Sequence, residues 1–260
     1  MENGDRSRMI NKMELHPEKD QHLLLNKKII ARMIKESNLS KEDNVLEIGA
    51  GTGILTKEIV QLAGKVLAFE TEKIFHKQLD KISNENVKLI YDNALNYSWK
   101  EYNKIVSNIP YSLSEPIIMK AIQDGIGFMV LTMGENFKEI LEKKETKIGI
   151  MANLFYNIEI IMKINKKEFV PIPRVDSWII KFERKTELTE IKNIIQKIVM
   201  KKGKIKNAIL YSLVESGKTK NQAREMIKNL GVDKIVLEKP VKSITGKFLI
   251  FLGEKLGEII

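Results

Sequence analysis

Apolar and polar positions along the chain alternate between two patterns, one typical of buried strands and one of amphipathic helices. The stretch from Asn26 to Ser37 has the helical pattern because its isoleucines and Met33 fall on one face. Further elements are expected as helices at 54–62, 72–82 and 114–123, and as strands near 44–49, 65–70, 87–91, 102–107, 128–133, 154–164 and 177–182. This alternation predicts an α/β fold with a mostly parallel sheet.

After Arg184 the pattern changes to helices alone, which are expected at 188–202, 204–216, 219–229 and 245–258. The sequence therefore predicts three parts: a flexible N-terminal tail (1–19), an α/β domain (20–184) and a small helical domain (185–260). Ligands of open parallel sheets bind at the carboxyl ends of the strands. The residues that follow each strand are therefore the candidates for a binding site.

The helical part carries most of the positive charge. The formal net charge of the chain is +10, and residues 185–260 hold 16 Lys and Arg against 8 Asp and Glu. The densest group is Lys201, Lys202, Lys204 and Lys206. Because lysine displaces counterions from phosphates, we predict that this domain binds a polyanion such as RNA. A solvated helix face without a ligand is the alternative.

The chain contains no cysteine, which excludes disulfides, thiolate metal sites and a thiol nucleophile. No metal site is expected. No apolar run reaches the ~18 residues that a membrane span needs, and residues 1–19 lack the apolar stretch of a signal peptide. We therefore expect a soluble, cytoplasmic protein that is monomeric by default.

The strand pattern at 44–48 runs into a glycine-rich turn, Gly49-Ala50-Gly51-Thr52-Gly53, and then into a helix. Glycine lets the main chain approach a ligand where a Cβ would collide. The spacing differs from the Gly-x-Gly-x-x-Gly of dinucleotide-binding folds, and no Lys-Ser/Thr follows as in a P-loop. Glu47 suits a ligand with a positive amino group, and Glu70, after the next strand, suits ribose hydroxyls. Together these features predict a pocket for S-adenosylmethionine.

A second motif, Asn108-Ile109-Pro110-Tyr111, follows the strand pattern at 102–107. The exocyclic amine of a base is a poor nucleophile because its lone pair is delocalised, so an enzyme must accept its hydrogens. The Asn108 side chain offers one carbonyl, and Pro110, which lacks an N–H, leaves a main-chain carbonyl nearby. Tyr111 offers a flat face for stacking. The motif predicts a site for an acceptor base, and an ordinary turn after a strand is the alternative.

Two more motifs complete a resemblance: Gln21-His22-Leu23-Leu24 before the first helix, and Phe169-Val170-Pro171-Ile172-Pro173-Arg174-Val175-Asp176-Ser177 before the last strand. With them the chain resembles the rRNA adenine N6-dimethyltransferases, which include the KsgA-type small-subunit enzymes and the erythromycin-resistance methyltransferases. The resemblance covers residues 20–184 and, more weakly, the helices beyond. It implies a Rossmann-like S-adenosylmethionine-dependent methyltransferase fold with a small C-terminal helical domain. It also implies dimethylation of two adjacent adenosines near the 3′ end of small-subunit rRNA, within a partly assembled subunit.

The resemblance assigns roles to single residues. The methyl donor is expected to contact His22, Leu24, Gly49, Gly51, Glu70, Asn93 and Asn108. The acceptor base is expected to contact Asn108, Pro110, Tyr111 and Phe137. A capping role for His22 and core packing for Phe137 are the alternatives.

Two departures from the family pattern leave the function open. Asn93 stands where the family usually has Asp, so either Asn93 or the neighbouring Asp92 contacts the adenine of the donor. The segment from Leu141 to Asn153 is expected to be a short loop in place of a longer one. The alternatives are a large-subunit rRNA methyltransferase, a weakly active RNA-binding assembly factor and a dehydrogenase.

Overall fold

The structure is a computed structural model that describes residues 21–82, 84–186 and 189–259. The expected N-terminal tail, residues 1–19, lies outside the described residues. The described chain forms two compact units. The first contains the residues up to Lys138 and Ile158–Glu183, and the second contains Glu139–Asn157 and the residues from Arg184 onward. None of the described helices is long and apolar enough to cross a bilayer.

The first unit is built on a sheet of mostly parallel strands. The strands of the described chain are β1 (Leu23–Leu24), β2 (Asn44–Ile48), β3 (Lys65–Phe69), β4 (Val87–Ile90), β5 (Lys104–Asn108), β6 (Phe128–Gly134), β7 (Tyr156–Ile164), β8 (Phe169–Val170) and β9 (Ser177–Arg184). The main sheet has the order β4-β3-β2-β5-β6-β9-β7. From β4 to β6 all neighbours are parallel, and β9 is antiparallel to β6. The predicted α/β class is confirmed.

Four helices of the first unit alternate with the parallel strands. They are α1 (Lys27–Ser37), α2 (Ile54–Leu62), α3 (Lys73–Leu79) and α4 (Ser114–Asp124). α1 begins where the Asn26 side chain accepts the N–H of Lys28 at 2.9 Å, and ends at Asn38 in the left-handed conformation. Its buried face, with Ile30 and Met33, joins one hydrophobic core with side chains of α2, β2, β5 and β6.

The second unit is helical. Its helices are α6 (Lys147–Phe155), α7 (Glu190–Met200), α8 (Ile205–Val214), α9 (Lys220–Asn229), α10 (Lys234–Glu238) and α11 (Gly246–Ile259), and α5 (Glu135–Lys143) runs into it from the first unit. α9 starts with a capping box, in which Thr219 and Gln222 each bond the main-chain N–H of the other. Fully buried isoleucines and leucines of α7, α8 and α11 supply apolar side chains to this unit.

The prediction of a short loop at 141–153 is wrong, because most of this segment is helix α6. The Thr146 hydroxyl accepts the N–H of Gly149 at 3.1 Å and so starts the helix. Asn153 donates to the Leu141 carbonyl at 2.8 Å, which ties the helix back to the end of α5. The helix also takes in 154–155, which the apolar pattern assigned to a strand.

The two units also differ from the expected domains in the region of α6. One boundary falls between Glu183 and Arg184, next to the expected one, but Glu139–Asn157 belongs to the second unit. The Lys185 N–H donates to the Phe155 carbonyl at 2.9 Å, and the Arg184 guanidinium lies 5.6 Å from the centre of the Phe155 ring. Arg184 and Lys185 therefore contact α6, which belongs to the same unit.

Candidate active site

A cavity of about 250 Å³ lies at the carboxyl ends of β2, β3 and β5. The direction of winding reverses between β2 and β5, because β3 and β4 follow on one side of β2 and β6 follows on the other side of β5. Open α/β sheets bind ligands at such a reversal. The lining residues are Gln21, His22, Leu23, Ile48, Gly49, Gly51, Phe69, Glu70, Thr71, Glu72, Phe75, Asp92, Asn93, Ala94, Asn108, Ile109, Pro110, Tyr111 and Leu113.

The glycine-rich turn after β2 forms one wall of the cavity. Gly49 and Gly51 have φ angles of 78° and 53°, which residues with a side chain rarely adopt. The N–H groups of Gly49 and Ala50 both donate to the Phe69 carbonyl at 2.9 Å, so the turn is fixed to the end of β3. A Cβ on Gly51 would lie 3.1 Å from Cδ2 of Leu23. The turn therefore requires glycine at this position.

Glu70 follows β3 and is buried beside the turn. Its Oε2 accepts the N–H of Gly51 at 2.7 Å, and its Oε1 accepts the N–H of Glu72 at 2.8 Å. Burial raises the pKa of the Glu70 carboxyl group, and the main-chain N–H donors oppose this shift. Because each carboxylate oxygen accepts more than one hydrogen, Glu70 can also receive hydroxyl groups of a ligand in the cavity.

Glu47 lies on β2 next to a second, smaller chamber of about 40 Å³. The residue is 1% exposed, and in the described part of the chain its Oε2 has no hydrogen-bond partner. Burial raises its pKa from 4.5 to about 8, and repulsion from Glu70 acts in the same direction. The chamber shares Gly49 and Gly51 with the main cavity. A cation bound beside the turn would therefore favour ionised Glu47.

Asp92 and Asn93 follow β4, and both line the cavity. The Asn93 side-chain oxygen accepts the N–H of Leu95 at 3.0 Å and so starts the 3₁₀ turn Ala94–Asn96. The Asp92 carboxylate accepts the Asn93 N–H at 2.6 Å and the Tyr97 hydroxyl at 3.1 Å. Both candidates for the adenine contact thus reach the cavity, and the choice between them stays a prediction.

Asn108 is the last residue of β5, and its side-chain amide is bonded at both ends. Nδ2 donates to the main-chain carbonyl of His22 at 3.1 Å. Oδ1 accepts a hydrogen bond from the hydroxyl of Thr132, its register partner on β6. The sequence analysis did not single out Thr132. The available signal is a hydroxyl in a strand whose other side chains are apolar.

Pro110 and Tyr111 form the next part of the wall. The Pro110 carbonyl accepts the N–H of Leu113 at 3.0 Å, which closes the 3₁₀ turn Tyr111–Leu113. The Tyr111 hydroxyl is hydrogen-bonded to the hydroxyl of Ser177, the first residue of β9. This bond fixes the plane of the Tyr111 ring at the cavity.

His22 links the start of the described chain to this wall. Its Nδ1 donates to the Pro171 carbonyl at 2.9 Å, and its ring is stacked at 28° to the Tyr111 ring, with 5.9 Å between centroids. β1 and β8 pair antiparallel, with Leu24 opposite Phe169. Three of the four sequence motifs therefore line one cavity, and the fourth, Phe169–Ser177, contacts two of them through Pro171 and Ser177.

Two predicted site residues lie elsewhere. Leu24 lines the smaller chamber beside Glu47. Phe137 is half-buried in the first turn of α5 and is not in the cavity lining, so its contact with an acceptor base stays a prediction. Two bonds of Glu135 fix the start of α5 and with it the position of Phe137. The Glu135 N–H donates to the Asp176 carbonyl at 3.0 Å, and Oε2 of Glu135 accepts from the Trp178 indole at 2.6 Å.

The four predicted RNA-binding lysines belong to the second unit and differ in their partners. Lys201 forms an ion pair with Glu215 at 2.6 Å, and Lys204 forms one with Glu238 at 2.7 Å. Lys202 and Lys206 are exposed, and no ion pair to either is found among the described residues.

The cavity also contains residues that sequence analysis missed. Ile48, Phe69 and Thr71 carry a usable signal, because they end or follow a strand. Phe75 and Leu113 lie in helical turns and reach the cavity only through the packing of those turns. Within the described ranges, no group of three or more His, Asp and Glu side chains is placed to hold a metal ion.

Comparison with known families settles the class of protein. The model of a family described as ribosomal RNA adenine dimethylase matches residues 13–245. The chain belongs to this family. The resemblance and the enzyme class predicted from the sequence are thereby confirmed, and the dimethylase family supplies the reaction: methylation of adenine in ribosomal RNA.

Individual relatives of the dimethylase family cover most of the chain. A probable ribosomal RNA small subunit methyltransferase A of Thermococcus gammatolerans is 35% identical over 191 residues, which are 70% of this chain and 69% of the relative. One of Methanococcus vannielii, with the same name, is 29% identical over 255 residues and 92% of each chain. A dimethyladenosine transferase structure from Plasmodium falciparum has a TM-score of 0.62 at 23% identity, over 91% of this chain and 98% of that one. It supports the fold.

Proposed function

We propose that the protein transfers methyl groups from S-adenosylmethionine to N6 of adenosines in small-subunit rRNA and dimethylates two adjacent adenosines near its 3′ end. One observation carries the site assignment: the Asn108–Tyr111 motif and the glycine-rich turn line the same cavity. The choice of subunit is supported by the archaeal relatives, which are named small subunit methyltransferases.

The cavity fits a nucleoside with a charged tail. S-adenosylmethionine supplies a methyl group on a positively charged sulfur. Glu70 would accept ribose hydroxyls, since it lines the cavity and each of its oxygens can accept a further hydrogen beside the main-chain N–H that holds it. Asn93 or Asp92 would receive the adenine amine, and the positive φ of Gly49 and Gly51 lets the main chain approach the ligand.

The acceptor adenine would lie against Tyr111, whose ring is fixed by Ser177. The Asn108 side-chain carbonyl would accept one hydrogen of the N6 amine. The main-chain carbonyl of Ile109 or Pro110 would accept the other, since both residues line the cavity. These dipoles draw N6 towards tetrahedral geometry and stabilise its developing positive charge. Holding the amine in line with the methyl group supplies the remainder of the catalysis.

No general base is needed before attack, because the amine becomes acidic only when it carries the new methyl group. The product keeps one hydrogen and a lone pair on N6. One of the two carbonyls can therefore accept this remaining hydrogen while the lone pair attacks a second methyl group.

The helical unit would bind the rRNA through its lysines, with Lys202 and Lys206 among the exposed cations without ion pairs in the described structure. A partly assembled small subunit as substrate, a monomeric enzyme and action in the cytoplasm complete the proposal. Contacts of lysine with phosphates give affinity but little sequence preference. Selection of the two adenosines would therefore come from the shape of the RNA around the cavity.

The deciding experiment uses unmethylated small ribosomal subunits, labelled S-adenosylmethionine and mass spectrometry of the digested RNA. N6,N6-dimethyladenosine in small-subunit RNA is the expected result. Modification of large-subunit RNA alone would favour the resistance-type activity, and binding without methylation of either RNA would favour an assembly factor.

An Asn108→Ala variant tests the assignment of the site in the same assay. We expect turnover to fall by at least a hundredfold while the donor binds within about threefold of the wild type, since the carbonyl that accepts a hydrogen of N6 at the transition state is lost. The exposed Asn229 of α9 provides the matched control, Asn229→Ala. Equal loss of donor binding and turnover would contradict the division of roles between Asn108 and Glu70.

A further inference from the structure

Thr132 is the one hydroxyl-bearing residue of β6, a strand whose other side chains are apolar. It is fully buried. It projects from the same face as Val130, two residues earlier, and its partner on β9 is Ile179; both belong to the hydrophobic core. Valine has almost the shape of threonine, so packing alone does not require a hydroxyl at this position.

A buried hydroxyl group without a partner costs free energy, and the partner of this one is Asn108. Strands β5 and β6 are parallel, and Asn108 and Thr132 are register partners, so their side chains leave the sheet side by side on one face. The Thr132 hydroxyl donates to Oδ1 of Asn108. The pairing therefore joins a core position to the residue that ends β5 in the cavity.

The bond from Thr132 and the bond to His22 together allow one orientation of the Asn108 amide. Nδ2 faces the His22 carbonyl, to which it donates at 3.1 Å. If the amide were reversed, Oδ1 would face that carbonyl, and two acceptors would repel each other. The hydroxyl of Thr132 also holds Oδ1 at a fixed point, while the second acceptor position of this oxygen remains for a substrate.

We propose that Thr132 is a positioning residue for methyl transfer, whose hydroxyl holds the Asn108 carbonyl where it receives the acceptor amine. This inference rests on the proposed function, in which Asn108 binds that amine. Thr132 is not part of the cavity lining. It acts through Asn108 and does not touch the substrate.

The test compares Thr132→Val with Thr132→Ser. Because one hydrogen bond contributes about 0.5–1.5 kcal/mol, we expect Thr132→Val to lower kcat by about two- to tenfold, with the donor Kd within twofold of the wild type. Thr132→Ser keeps the hydroxyl and should restore kcat to within about threefold. The control is Ser212→Ala in the helical unit, which removes a buried hydroxyl without a partner in the described structure. Wild-type kcat in Thr132→Val, or a serine variant as slow as the valine variant, would overturn the proposal.

A second measurement separates this inference from the proposed function. The ¹⁵N spectrum shows the side-chain amide of Asn108, which is identified by its absence in Asn108→Ala. We expect these signals to shift in Thr132→Val and to return in Thr132→Ser. If the wild type methylates no ribosomal RNA, the proposed function fails by itself. The positioning role of Thr132 is contradicted separately, if the Asn108 signals are unchanged in Thr132→Val.

Discussion

Nδ2 of Asn108 donates a hydrogen bond to the main-chain carbonyl of His22, 86 residues earlier in the chain, at 3.1 Å. The bond joins the segment before α1 to the end of β5. The imidazole of the same His22 lies against Tyr111 and donates to Pro171. His22 therefore contacts the wall that we assign to the acceptor base, and its predicted role in binding the donor stays a prediction.

Tyr111 should contribute to RNA methylation through its ring more than through its hydroxyl. Stacking on a base is worth roughly 1–3 kcal/mol, so we expect Tyr111→Ala to lower kcat/KM for the RNA by about 5- to 100-fold. Tyr111→Phe keeps the ring and loses the bond to Ser177, and should cost about two- to tenfold. Steady-state kinetics with unmethylated subunits measures both effects.

Ser177→Ala supplies the control for the hydroxyl. It removes the same bond from the other side, so it should match Tyr111→Phe, and the double variant should be no slower than either single variant. Additive losses would show that the two hydroxyl groups act independently.

Gly51→Ala should weaken the binding of the donor, because the turn needs a positive φ and a Cβ would press on Leu23. We expect the Kd for S-adenosylmethionine to rise at least tenfold by calorimetry. Gly125→Ala is the matched control, since Gly125 also has a positive φ, of 84°, with nothing within 4 Å of an added Cβ. Both variants should lose roughly 1 kcal/mol of stability from backbone strain. A similar loss of donor affinity in both variants would count against a special role for Gly51.

Glu47 should make the stability of the protein depend on pH. Burial raises its pKa in the folded state to about 8, from 4.5. Between these values unfolding releases a proton, so the contribution of Glu47 is fully present below about pH 4.5 and is lost as the pH rises to 8. Glu47→Gln cannot titrate. The free energy of unfolding, measured with urea, should therefore fall with rising pH in the wild type relative to Glu47→Gln. The difference between the two should change by up to about 1.4 kcal/mol per pH unit in this window.

The exposed Glu58 of α2 provides the control for the pH series, as Glu58→Gln removes one carboxylate without opening a buried site. A constant difference between Glu47→Gln and the wild type from pH 5 to pH 8 would show that Glu47 is not held in its neutral form.

The lysines of the helical unit should differ in their effect on RNA binding. When a lysine no longer neutralises a phosphate, the slope of log K against log salt becomes shallower by about 0.7–0.9. We expect this reduction for Lys202→Gln and Lys206→Gln. Lys201→Gln and Lys204→Gln should change the slope less, because these two cations already pair with Glu215 and Glu238. Filter binding over a salt series measures all four, and equal slopes for the four variants would contradict the distinction.

Local sequence patterns were sufficient to predict most helices and strands of the first unit. The stretch expected as a helix at 54–62 is α2 (Ile54–Leu62), and the strand expected near 65–70 is β3 (Lys65–Phe69). These elements follow from apolar spacing and from glycine at the turn, which are properties of neighbouring residues. The segment at 141–155 failed this approach, because apolar spacing does not show the polar side-chain bonds of its helix, in which the Thr146 hydroxyl accepts the Gly149 N–H and Asn153 donates to the Leu141 carbonyl.

The sequence alone determined the family and indicated the motifs that we propose carry the chemistry, because those motifs are runs of adjacent residues with fixed conformational needs. Only the tertiary structure decided how the runs meet: that Thr132 bonds Asn108, that Glu47 is buried deeply enough to hold a proton, and that Phe137 lies outside the cavity. Strand register and burial depend on residues far apart in the chain. A pattern of neighbours therefore cannot specify them.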